Sequence, residues 1–283
     1  LQVDSEAVLK SIEAQHGLLV ERARSIYSFS HLTFQEYFTA RKIFTSSEPQ
    51  ALEKALQSLV SHISDKRWRE VFLLTAGMLQ PADYLLQLMK QQVDALVADE
   101  KFQPLLKWVS EKSLLVEAPY TPAVVRIFYL ALAVDFTVDL NFSRDKAFSL
   151  DLDRALTRAF ERAVACNFDN AFDSAFERAI TRADKLAPEL EGSLQQLKAQ
   201  LPGQKATGQA WTEQFKTVMI EHRNIGHDWQ FSKQQQKALK QYHDANKLLA
   251  DCLNSDCYVT LDVRQQIEDT LLLPLAENHR PRP

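Results

Sequence analysis

The chain has 283 residues, 46% of them hydrophobic and 25% charged, enough for one large or two ordinary domains with their own cores. A net charge of −4 argues against a general nucleic-acid binder, although a local basic patch stays open. No apolar run approaches the roughly 20 residues of a membrane span, and no secretory signal pattern opens the chain. Only six glycines occur, while alanine, leucine, glutamine, lysine, arginine and glutamate dominate, so composition favours helix. The first residue is not methionine and a helix follows at once, so a piece of a longer protein is expected. Cys166, Cys252 and Cys257 read as free thiols of a reducing cytoplasm. Cys252 and Cys257 match no common zinc spacing, so no metal is expected.

In chain order, residues 5–16 predict a short helix with Val8, Leu9 and Ile12 on one face, opened by Ser5 and ended by Gly17. Leu19–Glu21 and Ile26–Phe29 predict two strands of a hairpin around a charged tip. Thr33 is expected to begin the next helix. Helix, small β-wing and helix together describe the end of a winged-helix domain. From Pro49 onward only helices are expected. Residues 49–63 carry Leu52, Leu56, Leu59, Val60 and Ile63 at helical spacing, and 65–79 carry Trp68, Val71, Phe72, Thr75 and Leu79. A short joint suggests that these two form an antiparallel pair. Residues 81–97 and 102–116 add two more helices.

From Ala131 to Arg182 the chain falls into blocks of four, and the second residue is apolar in twelve of the thirteen blocks. Four residues of α-helix advance about 400°, so the apolar stripe drifts by about 40° per block. One straight helix cannot bury such a stripe against one partner. Short helices are therefore expected, broken near Asp139–Asn141, Asp151 and Asn167–Asp169, where residues favour caps. A pentapeptide β-helix has a similar composition but a period of five. The acids Asp153, Glu161, Asp173 and Glu177 alternate with Arg154, Arg158, Arg162, Arg178 and Arg182. This reads as a solvated, ion-paired face before it reads as a nucleic-acid stripe. Residues 188–201 predict a helix and 202–208 a loop. A last bundle follows: residues 211–225, a long helix from 232 with a Ser232/Gln235 capping box, and a helix over 262–273 ended by Pro274. The segments are 1–47, the end of a winged-helix module; 48–130, a helical repeat-like region; 131–201, the tetrad region; and 209–275, a C-terminal helical bundle. The fold class is mainly α, an array of short helices with a small winged-helix remnant at the N-terminus.

No phosphate loop, dinucleotide fingerprint, nucleophile elbow or metalloprotease helix occurs. His222 and His227 stand five apart with Asp228 and Trp229 beside them. An enzymatic reading of these residues requires them to share one concave pocket. Trp68, Trp108, Trp211 and Trp229 sit at apolar helical positions and read as core.

Residues 27–43, YSFSHLTFQEYFTARKI, resemble the motif that closes the winged-helix part of NACHT-type STAND NTPases, the regulators built like the NOD-like receptors. Phe29, His31, Phe34, Gln35, Glu36, Tyr37, Phe38 and Ala40 carry the likeness. RWREVFLLTAGML is similar to the first helices after that module. The tetrad region and residues 223–274 resemble the C-terminal helical domain of cyanobacterial-type NACHT proteins. The resemblance implies that His31 reaches the phosphates of bound ADP and helps hold a closed resting state, with the aromatic neighbours fixing its rotamer. ADP or ATP with magnesium would belong to the intact parent, whose phosphate loop lies upstream. This chain would hold no cofactor and would not itself be an enzyme. Its partners would be the upstream NTPase module of the same chain and an unknown trigger, a protein or peptide more readily than a nucleic acid. Oligomerisation on activation, a cytoplasmic location and a role in bacterial antiviral defence are likewise implied. The rival reading is a nucleotide-independent helical scaffold for a protein or peptide.

Overall fold

The computed structural model describes residues 5–24, 26–45, 48–134, 148–165, 167–201 and 208–277. Among these, thirteen α-helices accompany one two-stranded antiparallel sheet. The chain divides into two compact units, Leu1–Leu96 with Asp244–Ile267 and Val97–His243 with Glu268–Pro283. No helix among the described residues is long and apolar enough to cross a membrane.

In the first unit, α1 (Ser5–His16) stops at Gly17, whose φ of +58° suits glycine and whose N–H bonds to Glu13 O at 3.1 Å. The hairpin of β1 (Leu19–Ala23) and β2 (Ile26–Phe29) pairs Leu19 with Phe29 and Val20 with Ser28, with an irregularity between Glu21 and Ala23. Next come α2 (Leu32–Phe44), which starts one residue before Thr33, α3 (Pro49–Val60), α4 (Arg69–Met78) and α5 (Asp83–Ala95). The apolar stripes meet as periodicity requires: Leu56, Leu59 and Val60 of α3, Val71 and Phe72 of α4, and Leu85, Leu86 and Met89 of α5 are all buried. The pairing differs from expectation. α4 packs mainly on α2, and α3 on α5. Before α4, Asp65 caps a 3-10 turn at Lys66–Trp68 by accepting from Arg67 N at 3.1 Å. The chain is thereby turned out of a simple helical hairpin.

The later segment of this unit returns to α4 and α5. It comprises the end of α12 (Lys233–Leu253) and most of α13 (Leu261–Thr270). Arg69 pairs with Asp251 at 2.9 Å, and the Asp83 carboxylate accepts from Thr260 N (2.9 Å) and Thr260 Oγ1 (2.7 Å). Cys252 is buried, and burial, aided by Cys257 and Asp251, pushes its thiol up to about 12. Cys257 is partly exposed and donates its S–H to Cys252 O at 3.0 Å. Thiols react as thiolates. Iodoacetamide at pH 8 is thus expected to label Cys257 while Cys252 stays unmodified until the protein unfolds. Peptide mass mapping checks this; comparable labelling at Cys252 in the native state would contradict it.

In the second unit are α6 (Gln103–Leu115), α7 (Pro122–Ala133), α8 (Phe148–Val164), α9 (Asn170–Leu186), α10 (Pro188–Ala199) and α11 (Gln209–Arg223). α8 and α9 form an antiparallel pair, with Arg182 on Asp151 (2.8 Å) at one end and Arg162 on Asp169 (2.9 Å) at the other. α10 packs on α9, and α11 on both α10 and α8, so the four helices close around an aromatic core. That core holds Phe172, Phe176, Trp211 and Phe215, with ring centroids 5.3–5.8 Å apart. The drift of the tetrad stripe is absorbed by dividing it between two helices of 17 residues.

Three expectations are corrected here. Asp151 breaks no helix: it lies in the first turn of α8, where a carboxylate favours the helix N-terminus. Asp153 is not on a solvated face but fully buried. The last helix ends at Thr270 rather than running to Pro274, and Leu272 just beyond it takes a left-handed φ of +61°. The break at Asn167–Asp169 is present, with Asp169 capping α9 through Ala171 N and Phe172 N, and so is the Ser232/Gln235 capping box. Asp139–Asn141 and residues 202–207 lie outside the described residues.

Candidate functional site

The hairpin delivers the chain directly into α2. Ser30 N bonds to Leu18 O at 2.9 Å, and His31 then takes the N-cap position in extended conformation, with φ −130° and ψ 145°. Its side chain makes no capping bond. The imidazole is exposed, has no hydrogen bond among the described residues, and lies 6.0 Å from the Phe34 ring. Phe34 is thus the motif aromatic beside His31. Phe29 instead stacks on Phe38 at 5.6 Å, and Tyr37 meets Phe38 edge-on at 5.4 Å. Gln35 is exposed and Glu36 half-buried. α2 buries only Ala40, and Leu32 (65% exposed), Phe44 (44%), Tyr37 and Phe38 (39% each) present apolar surface to solvent. Beside them Phe29, Phe38, Ile43, Leu59 and Trp68 line a groove of about 400 Å³. At about 100° per residue, Leu32, Tyr37, Phe38 and Phe44 point to several sides of α2 rather than to one face.

The second candidate set assembles only in part: His227, Asp228 and Trp229 line one cavity of about 530 Å³, of which His222 is not a lining residue. His222 Nε2 lies 3.2 Å from Ser193 Oγ, His227 Nε2 lies 2.6 Å from Asn224 Oδ1, and Asp228 accepts from Gln230 N at 2.9 Å. Burial lowers the His227 pKa. With three separate partners, the two histidines and the aspartate form no acid–base pair. Trp229 is not helical: it lies in an irregular segment whose Asn224, Gly226 and Gln230 all have positive φ. Its ring packs on Trp108 (5.7 Å) and His227 (5.7 Å). Trp108 and Trp211 are core as expected, while Trp68 sits half-buried in the 3-10 turn, stacked on His62 at 4.1 Å.

Sequence reasoning missed a buried charge cluster in the second unit. Asp153 of α8 accepts from Tyr129 Oη (2.5 Å) and from Arg223 Nε (2.6 Å) and Nη2 (3.1 Å), with Lys112 Nζ at 3.7 Å. Arg223 also reaches Ser149 Oγ at 2.6 Å. Lys112 donates to Arg223 O at 2.7 Å and lies 4.7 Å above the Tyr129 ring, while Trp108 Nε1 donates to Asn224 O at 2.8 Å. The end of α11 is thus capped by two donors of α6, which satisfy carbonyls left open by the helix. Burial lowers the Lys112 pKa and raises that of Tyr129. For Arg223 burial works downward, but Asp153 outweighs it and holds the guanidinium above its ordinary value. The cluster joins α6, α7, α8 and α11 in one network and opens onto no reacting group, so it reads as structural. A signal for it was present: Asp153 lies three residues after Leu150 and three before Leu156, squarely on the buried stripe.

Among the described residues no group of three or more His, Cys, Asp or Glu side chains is placed to hold a metal ion. Residues 2–43 match the family model of the winged helix-turn-helix domain C-terminal to NACHT. Residues 190–274 match that of NACHT C-terminal helical domain 2. Comparison with curated proteins and with solved structures gave no significant match.

Proposed function

The chain is a NACHT-type C-terminal region, and we propose that it is the regulatory and sensor end of a STAND NTPase switch. In this reading exposed apolar side chains of α2 meet the NTPase module upstream in the same chain, and His31 donates a hydrogen bond to a phosphate of bound ADP. The helical remainder receives the trigger and keeps the closed state shut until ATP exchange and oligomerisation. The setting is the cytoplasm of a bacterium and its antiviral defence. His31 carries the reading. It is exposed and without a hydrogen bond among the described residues, at the start of a helix that buries only Ala40, in a segment whose family lies C-terminal to NACHT. An imidazole N–H on phosphate is a charge-assisted bond when protonated and a donor in either state.

In the intact protein, His31→Ala is expected to weaken ADP retention by roughly tenfold or more, the scale of one hydrogen bond to a charged group, and to raise basal activation. Chromatography of nucleotide released from the purified protein measures the first, and sedimentation the second. Undiminished ADP content would leave this region as a nucleotide-independent scaffold for a protein or peptide.

A further inference from the structure

The 530 Å³ cavity lined by His227, Asp228 and Trp229 is in the size range of small-molecule sites. The start of α12 contributes Lys233, Lys237 and Lys240 to its lining. Their spacing of four and then three residues puts the lysines on one face of the helix. All three are exposed and make no hydrogen bond or ion pair among the described residues. Asp228 is the acid of the same lining; its carboxylate accepts from Gln230 N at 2.9 Å, and it forms no ion pair with the lysines among the described residues. The lining thus carries three positive charges against one negative. Lys233 also lies in the first turn of α12, which contains no acid, so the positive end of the helix adds to the lysines. A second cavity of about 170 Å³ shares Ala133, His227 and Trp229 with the first. Its remaining lining is mostly apolar, with Trp108, Phe160 and Met219 the largest side chains and the exposed Glu161 as its acid. Trp108 and Trp229 meet there edge to face at 5.7 Å, and Phe231, beside the lysines, holds its ring within 11° of the Trp229 plane.

We propose that the two adjoining cavities bind one mononucleotide, its base against Trp229 at the apolar end and its phosphate on Lys233, Lys237 and Lys240. A flat base stacks on aromatic side chains, and an ammonium group meets phosphate as a point charge without demanding a fixed fork. The smaller cavity has room for one ring system and not for a long acyl chain. Lys233 and Lys240 lie about 10 Å apart along the helix axis, which is short for the backbone of a continuing strand. All of these residues belong to the second unit, so the site stands apart from the role proposed for His31.

The test is calorimetric titration of the 283-residue chain at low salt with the adenine, guanine, cytosine and uracil nucleoside 5′-monophosphates in turn. At least one should bind about tenfold or more tightly than ribose 5-phosphate, which lacks the base, and than its own nucleoside, which lacks the phosphate. Lys237→Gln/Lys240→Gln should weaken that binding about tenfold or more with an unchanged melting curve, since both side chains are exposed. Lys54→Gln, on α3, and His31→Ala should leave it unaltered. No binding of any of the four, equal binding of ribose 5-phosphate, or equal weakening by the Lys54 or His31 variant overturns the site. So does tighter binding of a single-stranded RNA oligonucleotide than of every mononucleotide.

Discussion

Phe172→Asp is expected to abolish the cooperative unfolding transition of the α8–α11 core. The Phe172 ring is 1% exposed and touches Phe168 (5.1 Å), Phe176 (5.4 Å) and Trp211 (5.8 Å). Losing a buried phenylalanine costs about 3–5 kcal/mol in transfer and cavity terms. A carboxylate placed there has no partner and adds the penalty of a buried, unpaired charge. Against a total stability of about 5–15 kcal/mol for a domain, the sum removes most or all of the fold. Circular dichroism on heating reads the outcome, with Phe172→Leu as the apolar control that keeps a transition. A melting curve unchanged by the aspartate would show that this part of the tetrad stripe is not core.

The second large effect is at Asp153. Asp153→Ala strips the counter-charge from Arg223 and Lys112, whose side chains are 17% and 6% exposed. Breaking one member out of a buried ion pair costs about 3–5 kcal/mol, because the remaining charge stays desolvated. Asp153→Asn should cost less, since an amide oxygen still accepts from Tyr129 and Arg223. Arg223→Met in the Asp153→Ala background should cost far less than the two single losses added together, as expected for residues in one network. Urea titrations of Asp153→Ala, Asp153→Asn, Arg223→Met and the double variant measure this. Additive effects below about 1 kcal/mol would mean that the cluster behaves like surface ion pairs.

Much of this architecture follows from short-range sequence. The stripes of α3 to α5 repeat every three or four residues, and Asp169, Ser232 with Gln235, and Gly17 mark helix ends through bonds made within a few residues. The hairpin and α2 lie within 26 residues of one another, and the His31 motif lies inside them, so its place at the mouth of α2 was readable. The pairing of α4 with α2, rather than with α3, was not readable. A short joint brings two helices close, but which apolar faces win depends on all the stripes in the unit competing for burial.

Sequence by itself determined the helical class, the positions of most helices, the small β-wing and the family to which both ends of the chain belong. These rest on periodicity, capping and motif residues, whose causes act over a turn or two of chain. Only the tertiary structure decided which of several similar acids is buried. Asp153 and Asp173 occupy the same place in their four-residue blocks, yet Asp153 is enclosed by Tyr129, Arg223 and Lys112 while Asp173 faces solvent. Tertiary structure also gave His222 and His227 different hydrogen-bond partners, and left Arg158 and Arg178 without an ion pair among the described residues where the written sequence interleaves both signs. The physical reason is common to all three. A charged side chain's state is set by what packs against it, and those neighbours come from helices as far as 111 residues away in the chain.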